Sequence, residues 1–239
     1  MRFWIGLVML GAAGCAPSTV SIAGRVMAGF QSTDVAAGAH VELRDEAFGL
    51  VDVADADADG VFFVDAPERA YIHLIVSGDG LVPASFPGES GDGPAFDIPN
   101  GQIFAVTEAE LAEERADFLG CAGAEAADGV IYGTAWLSVP VADVTTGPPE
   151  PAAFAYVEDL NQTDKRTACY LDDAGSAVAP DATVTGTTGR FAIFGVAGGP
   201  WALTQGRMTS SSSSVLGRQT VYVPEGGVLA RLPALVPVL

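Results

Sequence analysis

An internal repeat constrains the fold of this chain more than any other feature of its sequence. Residues 60–74 align without a gap with residues 189–203, a constant offset of 129 positions. Large apolar residues recur at every second position in both copies, which is the period of a β-strand with one buried face. The matched pairs are Gly60 and Gly189, Phe62 and Phe191, Val64 and Ile193, Ile72 and Trp201, and Leu74 and Leu203. The repeat predicts two β-hairpins of the same design.

Further alternating stretches lie upstream of each hairpin. Residues 38–43 and 151–157 each predict one more strand, and residues 21–26 and 129–134 open the two units. Short strands separated by glycine-containing turns must bury one face against another sheet. We therefore expect an all-β protein of two tandem β-sandwiches.

The first unit resembles a known family of small domains. Residues 24–76 contain, in order, Gly-Arg-Val, Ala-Gly-Ala-His-Val-Glu-Leu, Asp-Ala-Asp-Gly-Val-Phe-Phe-Val and Tyr-Ile-His-Leu-Ile-Val. This order is similar to that of carboxypeptidase regulatory-like domains. The second unit, residues 129–205, is similar but more divergent, and its clearest piece is Thr-Gly-Arg-Phe-Ala-Ile at residues 188–193. The resemblance implies two transthyretin-like β-sandwiches that act as non-catalytic binding or spacer modules.

A short helix is expected between the two units. Thr107 and Glu110 have the spacing of a capping box, and Gly120 can end the helix in a left-handed conformation. The predicted organisation is a signal peptide at 1–14, a lipid-anchored tether at 15–20, a first β-sandwich at 21–100, a helical linker at 101–128 and a second β-sandwich at 129–239.

The first fifteen residues have the pattern of an export signal. One positive charge is followed by a short apolar core and by Ala12, Ala13 and Gly14, directly before Cys15. The apolar stretch is shorter than the ~20 residues that cross a bilayer. The pattern resembles a bacterial lipobox, which implies that Cys15 is acylated and anchors an exported protein in the outer membrane. The alternative is an ordinary cleaved signal with a chance cysteine.

The charge of the chain limits its partners. Removing residues 1–14 takes away Arg2, so 10 Lys and Arg stand against 30 Asp and Glu, a net charge of −20 compared with −19 for the whole chain. Such a surface repels nucleic acid. We expect no nucleic-acid partner, membrane contact through the lipid anchor only, and an unidentified protein or glycan partner.

Two cysteines remain if Cys15 carries lipid. Cys121 and Cys169 would then form a disulfide bond, which is the usual state of a cysteine pair in an oxidising compartment. The alternative is a pair of buried free thiols.

An acidic turn offers one candidate metal site. Asp55, Asp57 and Asp59 alternate before Gly60, as the first ligands of a calcium loop do. The closing glutamate of such a loop is missing, because the twelfth position is Ala66. Asp-Gly sequences also form ordinary hairpin turns. The turn therefore predicts either a Ca²⁺ site or an acidic turn without metal, and no other cofactor is expected.

Catalytic residues are scarce in this sequence. The only histidines are His40 and His73, and neither lies at ligand spacing from another histidine or a cysteine. Both His73 and Arg190 are expected to face water, because they alternate with core positions.

Six aromatic residues are candidate platforms for sugar rings: Tyr71, Tyr132, Trp136, Tyr156, Tyr170 and Tyr222. Trp136 and Trp201 are also expected to serve as core residues.

These observations favour a non-enzymatic lipoprotein of the cell envelope with a structural or protein-binding role. Two alternatives stay open. One is a polysaccharide-binding accessory protein, and the other is a calcium-dependent adhesin module.

Overall fold

A computed structural model describes residues 18–29, 32–91, 102–125, 128–134, 153–173, 182–186, 188–208 and 213–232 of the chain. The described part is almost entirely β-structure, with one helix. The predicted all-β class, built from β-sandwiches with a short helix, is confirmed. The predicted signal peptide, Cys15 and Trp136 lie outside the described residues.

The strands of the first unit form most of the chain up to the helix. They are β1 (Thr19–Met27), β2 (His40–Arg44), β3 (Leu50–Asp55), β4 (Val61–Pro67), β5 (Tyr71–Gly78), β6 (Leu81–Glu89), β7 (Gln102–Phe104) and β8 (Val106–Thr107). Strands β7 and β8 lie within the segment predicted to be a linker. Strand β7 nevertheless joins a sheet of the first unit, because it pairs in parallel with β1.

The remaining strands follow the helix, α1 (Glu108–Asp117). They are β9 (Gly129–Thr134), β10 (Ala153–Asp159), β11 (Lys165–Thr167), β12 (Cys169–Tyr170), β13 (Arg190–Val196), β14 (Gly199–Met208), β15 (Ser213–Val223) and β16 (Val228–Leu232). The helix begins as predicted: the Thr107 side chain accepts a hydrogen bond from the Glu110 amide, and the Glu110 carboxylate accepts one from the Thr107 amide.

One long sheet runs through both units. Its strand order is β12-β13-β9-β16-β6-β5-β2-β3, and β8 pairs with β6 outside this path. A three-stranded sheet (β4-β1-β7) and a four-stranded sheet (β11-β10-β14-β15) complete the fold. The two units meet where β16 pairs in parallel with β6, with Val228 opposite Ala84 and Leu229 opposite Ser85.

The two small sheets cover opposite faces of the long sheet. The first core joins β1, β4 and β7 to β2 and β5, and its largest buried side chains include Ile22, Leu43, Phe62 and Leu74. The second core joins β10, β14 and β15 to β9, β13 and β16. At the junction, Leu229 belongs to the second core, whereas the neighbouring Val228 packs with Ala84 on the other face. Each unit is therefore a sandwich, and together they share the central sheet.

The sequence repeat corresponds to equivalent positions in the two sandwiches. The predicted hairpins are wrong, because β4 and β5 lie in different sheets, and so do β13 and β14. Phe62 and Phe191 are both almost fully buried, each in a different core, and Gly60 and Gly189 both adopt positive φ angles. Each phenylalanine also faces a glycine on the neighbouring strand. A Cβ atom on Gly24 would lie 2.6 Å from the Phe62 ring, and one on Gly133 would lie 2.3 Å from the Phe191 ring. The same glycine-aromatic pair therefore sits in both sandwiches.

Helix α1 and the turns after it cover a third cluster on the face of the long sheet next to the first core. Phe118, Cys121 and Ala124 pack there against β6, β9, β13 and β16. Arg190 contributes from β13: its Nη2 atom lies 2.9 Å from Glu114 Oε2 and 2.8 Å from Asp117 Oδ2, on α1. The prediction that Arg190 faces open water is wrong, because the helix lies over that part of the strand.

Candidate functional site

The first sandwich exposes large apolar side chains on two edge strands. Strand β3 is the last strand of the long sheet, and β4 is the last strand of the three-stranded sheet. Four apolar residues of these two strands are exposed. Their exposed fractions are 58% for Leu50, 38% for Val51, 47% for Val53 and 63% for Phe63. We call this surface, formed by the four side chains and the strands that carry them, the β3/β4 edge. Exposed apolar side chains on unpaired edge strands make this edge a candidate interaction site.

Aspartate side chains close the space between these two edge strands. The Asp52 carboxylate on β3 accepts a hydrogen bond of 2.7 Å from the Asp65 amide on β4. The Asp57 carboxylate accepts bonds of 2.9 Å from the amides of Asp59 and Val61. These contacts occupy backbone donors that would otherwise be available for pairing with another strand. Charged side chains at sheet edges commonly limit uncontrolled aggregation in this way.

The candidate calcium ligands lie in the turn that leads into β4. Asp57 caps its own turn, and Asp55 Oδ1 lies 2.8 Å from His40 Nδ1 on β2. Gly60 has a φ of +74°, and a Cβ atom there would lie 2.7 Å from the Val26 carbonyl oxygen. The conformation of the turn alone therefore accounts for both Asp57 and Gly60. In the part of the chain that the structure describes, no three His, Cys, Asp or Glu side chains converge as ligands. Calcium binding stays a prediction, which calorimetry with Ca²⁺ would test.

The predicted disulfide bond joins Cys121, in the turn after α1, to Cys169 on β12. The two Cα atoms lie 6.0 Å apart, within the usual range for a disulfide bond. Strand β12 pairs with β13 through Cys169 opposite Ala192 and Tyr170 opposite Phe191. The disulfide therefore ties the strand that covers the outer edge of β13 to the helical segment.

His73 is buried, although the sequence predicted that it faces water. It does project from β5 away from the first core, but its ring is covered by Phe48, with ring centroids 4.9 Å apart, and by Tyr71 at 5.2 Å. Tyr222 on β15 of the second unit extends this cluster, with its ring centroid 5.4 Å from that of Phe48. The Arg44 guanidinium group lies over the Tyr222 ring, with Cζ 5.3 Å from the ring centroid. The prediction that His73 points away from the first core was correct. Its ring is nevertheless covered by Phe48 and Tyr71.

Burial affects the protonation of this cluster. Neither ring nitrogen of His73 has a hydrogen-bond partner. Burial lowers the pKa of His73 to about 4, and the negative charge of Asp45 opposes this only in part. Burial, reinforced by the charge of Glu89, raises the pKa of Tyr71 to about 12. His73 is therefore neutral at pH 7, and it packs as a flat polar ring among aromatic side chains.

Two of the six aromatic residues considered as sugar platforms serve the cores instead. Tyr132 and Tyr170 are buried, and burial raises the pKa of both phenols. Trp201 is buried in the second core, as predicted. Tyr156 differs, because it lies half-buried on the outer face of the four-stranded sheet beside Phe154. Their rings are within 6° of parallel with centroids 6.4 Å apart, and Lys165 Nζ lies 3.7 Å from the Tyr156 centroid.

Neither a protein-family model nor a curated protein matches this sequence. Two solved structures show a low similarity to it. The Bacillus anthracis TIE protein matches with a TM-score of 0.30 and 12% identity over 89% of this chain and 33% of that chain. The Streptococcal ancillary pilin matches with a TM-score of 0.29 and 13% identity over 87% of this chain and 62% of that chain. The chain thus spans less than two thirds of either protein.

The helix α1 is too short and too polar to cross a membrane, and the described residues contain no other helix that could do so.

Proposed function

We propose that this protein is an exported, lipid-anchored envelope protein that binds another protein without catalysing a reaction. The observation that carries the proposal is the β3/β4 edge, where four large apolar side chains are exposed beside an acidic turn. The disulfide bond between Cys121 and Cys169 supports export, because such bonds persist in oxidising compartments. The β-sandwich architecture agrees with the resemblance to carboxypeptidase regulatory-like domains.

The distribution of reactive side chains supports a non-catalytic role. Catalysis requires nucleophiles, bases or metal ligands that converge in one place. His73 is enclosed by aromatic rings, and His40 lies on an open strand beside a single carboxylate. In the described ranges these histidines do not join any cluster of three potential ligands.

Replacement of Cys15 tests the anchor. A Cys15→Ser variant should lose incorporation of a palmitate analogue and should leave the membrane fraction, because the lipid would be its only strong membrane contact. A Cys169→Ser variant is the matched control, since it alters a cysteine that carries no lipid in this proposal. A wild-type chain that takes up no label would contradict the lipoprotein assignment.

Photo-crosslinking in cells tests the binding role. A benzoylphenylalanine side chain at Phe63 should give a discrete adduct with a second protein, whereas the same group at Leu160 should not. Leu160 is a suitable control because it is 52% exposed, in the turn between β10 and β11 of the second unit. Equal labelling from both positions, or none from either, would count against a binding surface at the β3/β4 edge.

A second candidate function is polysaccharide binding, which the paired rings of Phe154 and Tyr156 favour. Both rings lie on the outer face of one sheet, and Lys165 and Glu158 beside them can bond sugar hydroxyls. Sugar rings stack on exposed aromatic faces. A glycan array would show binding that Tyr156→Ala abolishes and Leu160→Ala leaves intact, and an array without any hits would remove this candidate.

A further inference from the structure

Equivalent edges of the two sandwiches differ in whether a further strand pairs with them. In the second unit, β12 adds to the outer edge of β13 as an antiparallel strand opposite Phe191 and Ala192. The repeat places Phe62 and Phe63 at the equivalent positions of β4. Among the described residues no strand pairs with β4 on that side. Ala192 is completely buried, whereas Phe63 is exposed. The first sandwich thus lacks the strand that its counterpart supplies from its own chain.

The backbone of β4 leaves one position of this edge open. The amides of Val61 and Asp65 donate to the carboxylates of Asp57 and Asp52. Since alternate residues of a strand direct their backbone groups to the same side, the amide and carbonyl of Phe63 also face this edge. In the second unit, a strand of only two residues, Cys169 and Tyr170, is enough to pair at the equivalent place.

Charge decides what kind of segment fits the edge. Residues 45–68 contain eight Asp and Glu and no Lys or Arg. A second copy of this chain would bring the same acidic surface to the contact, and like charges facing each other across an interface disfavour binding. A segment with Lys or Arg would instead pair with Asp52 and Asp57 as its backbone reaches Phe63.

We propose that β4 accepts an extended segment of a partner protein, with alternating cationic and apolar residues, as an added antiparallel strand. The partner backbone bonds to Phe63, an apolar side chain covers the exposed phenylalanine ring, and cationic side chains contact Asp52 and Asp57. Such strand addition derives affinity from main-chain bonds and specificity from alternate side chains. The inference rests on the proposed protein-binding function and names the chemical class of its partner.

The test uses the full chain in a non-ionic detergent and a fluorescent peptide of about nine residues, a common strand length, that alternates lysine and valine. Anisotropy at physiological salt should show saturable binding, and hydrogen exchange should show new protection at the Phe63 amide. A peptide of the same sequence with alternate N-methylated residues keeps its charge but cannot form the ladder. It should bind about tenfold more weakly, a difference that corresponds to about 1.4 kcal/mol.

A charge-adding variant separates strand addition from simple attraction. Phe63→Asp removes the apolar contact but adds negative charge, so strand addition predicts weaker peptide binding and electrostatic attraction alone predicts tighter binding. Leu160→Asp adds the same charge in the second unit and should leave affinity unchanged. Phe63 is exposed, so the variant should fold, and its melting temperature checks this.

Three outcomes would overturn the inference. They are equal binding of the N-methylated peptide, equal effects of the two aspartate variants, and self-association of the chain that Phe63→Asp abolishes while the peptide does not bind. If the Phe63 crosslink forms in cells and the peptide does not bind, the proposed binding function stands and the cationic strand is excluded. Peptide binding without a crosslink would support the edge chemistry and leave the cellular role contradicted.

Discussion

The two sandwiches share one strand plan but differ in what lies beside their outer strands. Strands β4, β1 and β7 of the first unit correspond to β13, β9 and β16 of the second, and in both units the third strand runs parallel to the second. In the first unit, this sheet ends at β4 and β7. In the second unit it is extended on one side by β12 and on the other by β6 of the first unit. The two units therefore keep the same strand plan while their sheet edges differ.

Removal of either core phenylalanine should produce the largest effect and should show how far the units depend on each other. Phe62→Ala and Phe191→Ala should each lower the free energy of unfolding by about 3–5 kcal/mol, because burial is lost and a cavity remains. Hydrogen exchange should show that Phe62→Ala opens residues 24–76 and leaves residues 129–205 protected, since the two side chains lie in separate cores. Uniform loss of protection across both regions would mean that the shared sheet makes one cooperative unit.

Removal of the disulfide bond tests the covered edge of the second unit. The double variant Cys121→Ala, Cys169→Ala should lower the free energy of unfolding by about 2–4 kcal/mol, mainly because the unfolded chain gains freedom. Exchange should rise in β12 and β13, while β4 and β1 keep their protection. Rapid exchange in the first unit as well would show that the disulfide bond stabilises the whole long sheet.

The glycine-aromatic pairs test whether the two cores are packed equally tightly. Gly24→Ala and Gly133→Ala should each cost about 1–3 kcal/mol, because a methyl group would overlap the facing phenylalanine ring. The double variant Gly24→Ala, Phe62→Leu should lose less stability than the sum of its single changes, since the smaller side chain removes the overlap. Strict additivity in chemical denaturation would show that the ring and the glycine are not coupled.

The last test uses the pH dependence of stability, to which the buried His73 contributes. The pKa of His73 is lowered to about 4 in the folded protein from its ordinary value of 6.5, so between these values the unfolded chain binds more protons. The stabilisation by neutral His73 is therefore complete above pH 6.5 and is lost as the pH falls towards 4. The slope of this loss reaches at most about 1.4 kcal/mol per pH unit. His73→Phe should remove this component of the pH dependence.

The control for that experiment is Leu160→Phe, which changes an exposed apolar residue and leaves the buried histidine in place. Denaturant unfolding at several pH values between 4 and 7 should give the wild-type slope for this variant and a shallower slope for His73→Phe. Identical slopes in both variants would show that His73 becomes accessible to water before the protein unfolds.

Sequence periodicity was sufficient for the local elements of the fold. The offset between Phe62 and Phe191 identified the strands of both repeats, and the spacing of Thr107 and Glu110 identified the helix, because each pattern reports the local conformation of a few residues. The pairing of the repeated strands as hairpins was predicted wrongly, because the two strands of each repeat belong to different sheets. The disulfide between Cys121 and Cys169 followed from compartment and cysteine number. These inferences needed no knowledge of how distant strands are arranged.

Contacts between the two units could not be predicted in the same way. His73 is covered by Phe48, whose ring in turn contacts Tyr222 of the second unit, and Arg190 is covered by a helix that precedes it. The exposed Phe63 has a buried counterpart, Ala192, because the second unit supplies both β12 and the cover by the segment after α1, and the repeat itself contains no sign of either. Alternation shows which face a side chain is on, and only tertiary structure shows whether that face is covered.

The parallel pairing of β16 with β6 also affects the order in which the chain can fold. Domains generally fold from the N-terminal end as synthesis proceeds, so β6 would form before residues 228–232 have been made. Until then the part of its outer edge around Ala84 and Ser85, which β8 does not pair, can pair with any nearby strand, and pairings between distant segments form slowly. The first sandwich would pass through a period of aggregation risk that ends only when β16 arrives. A chaperone that covers β6 during this interval would raise the yield of folded protein without contacting the finished structure.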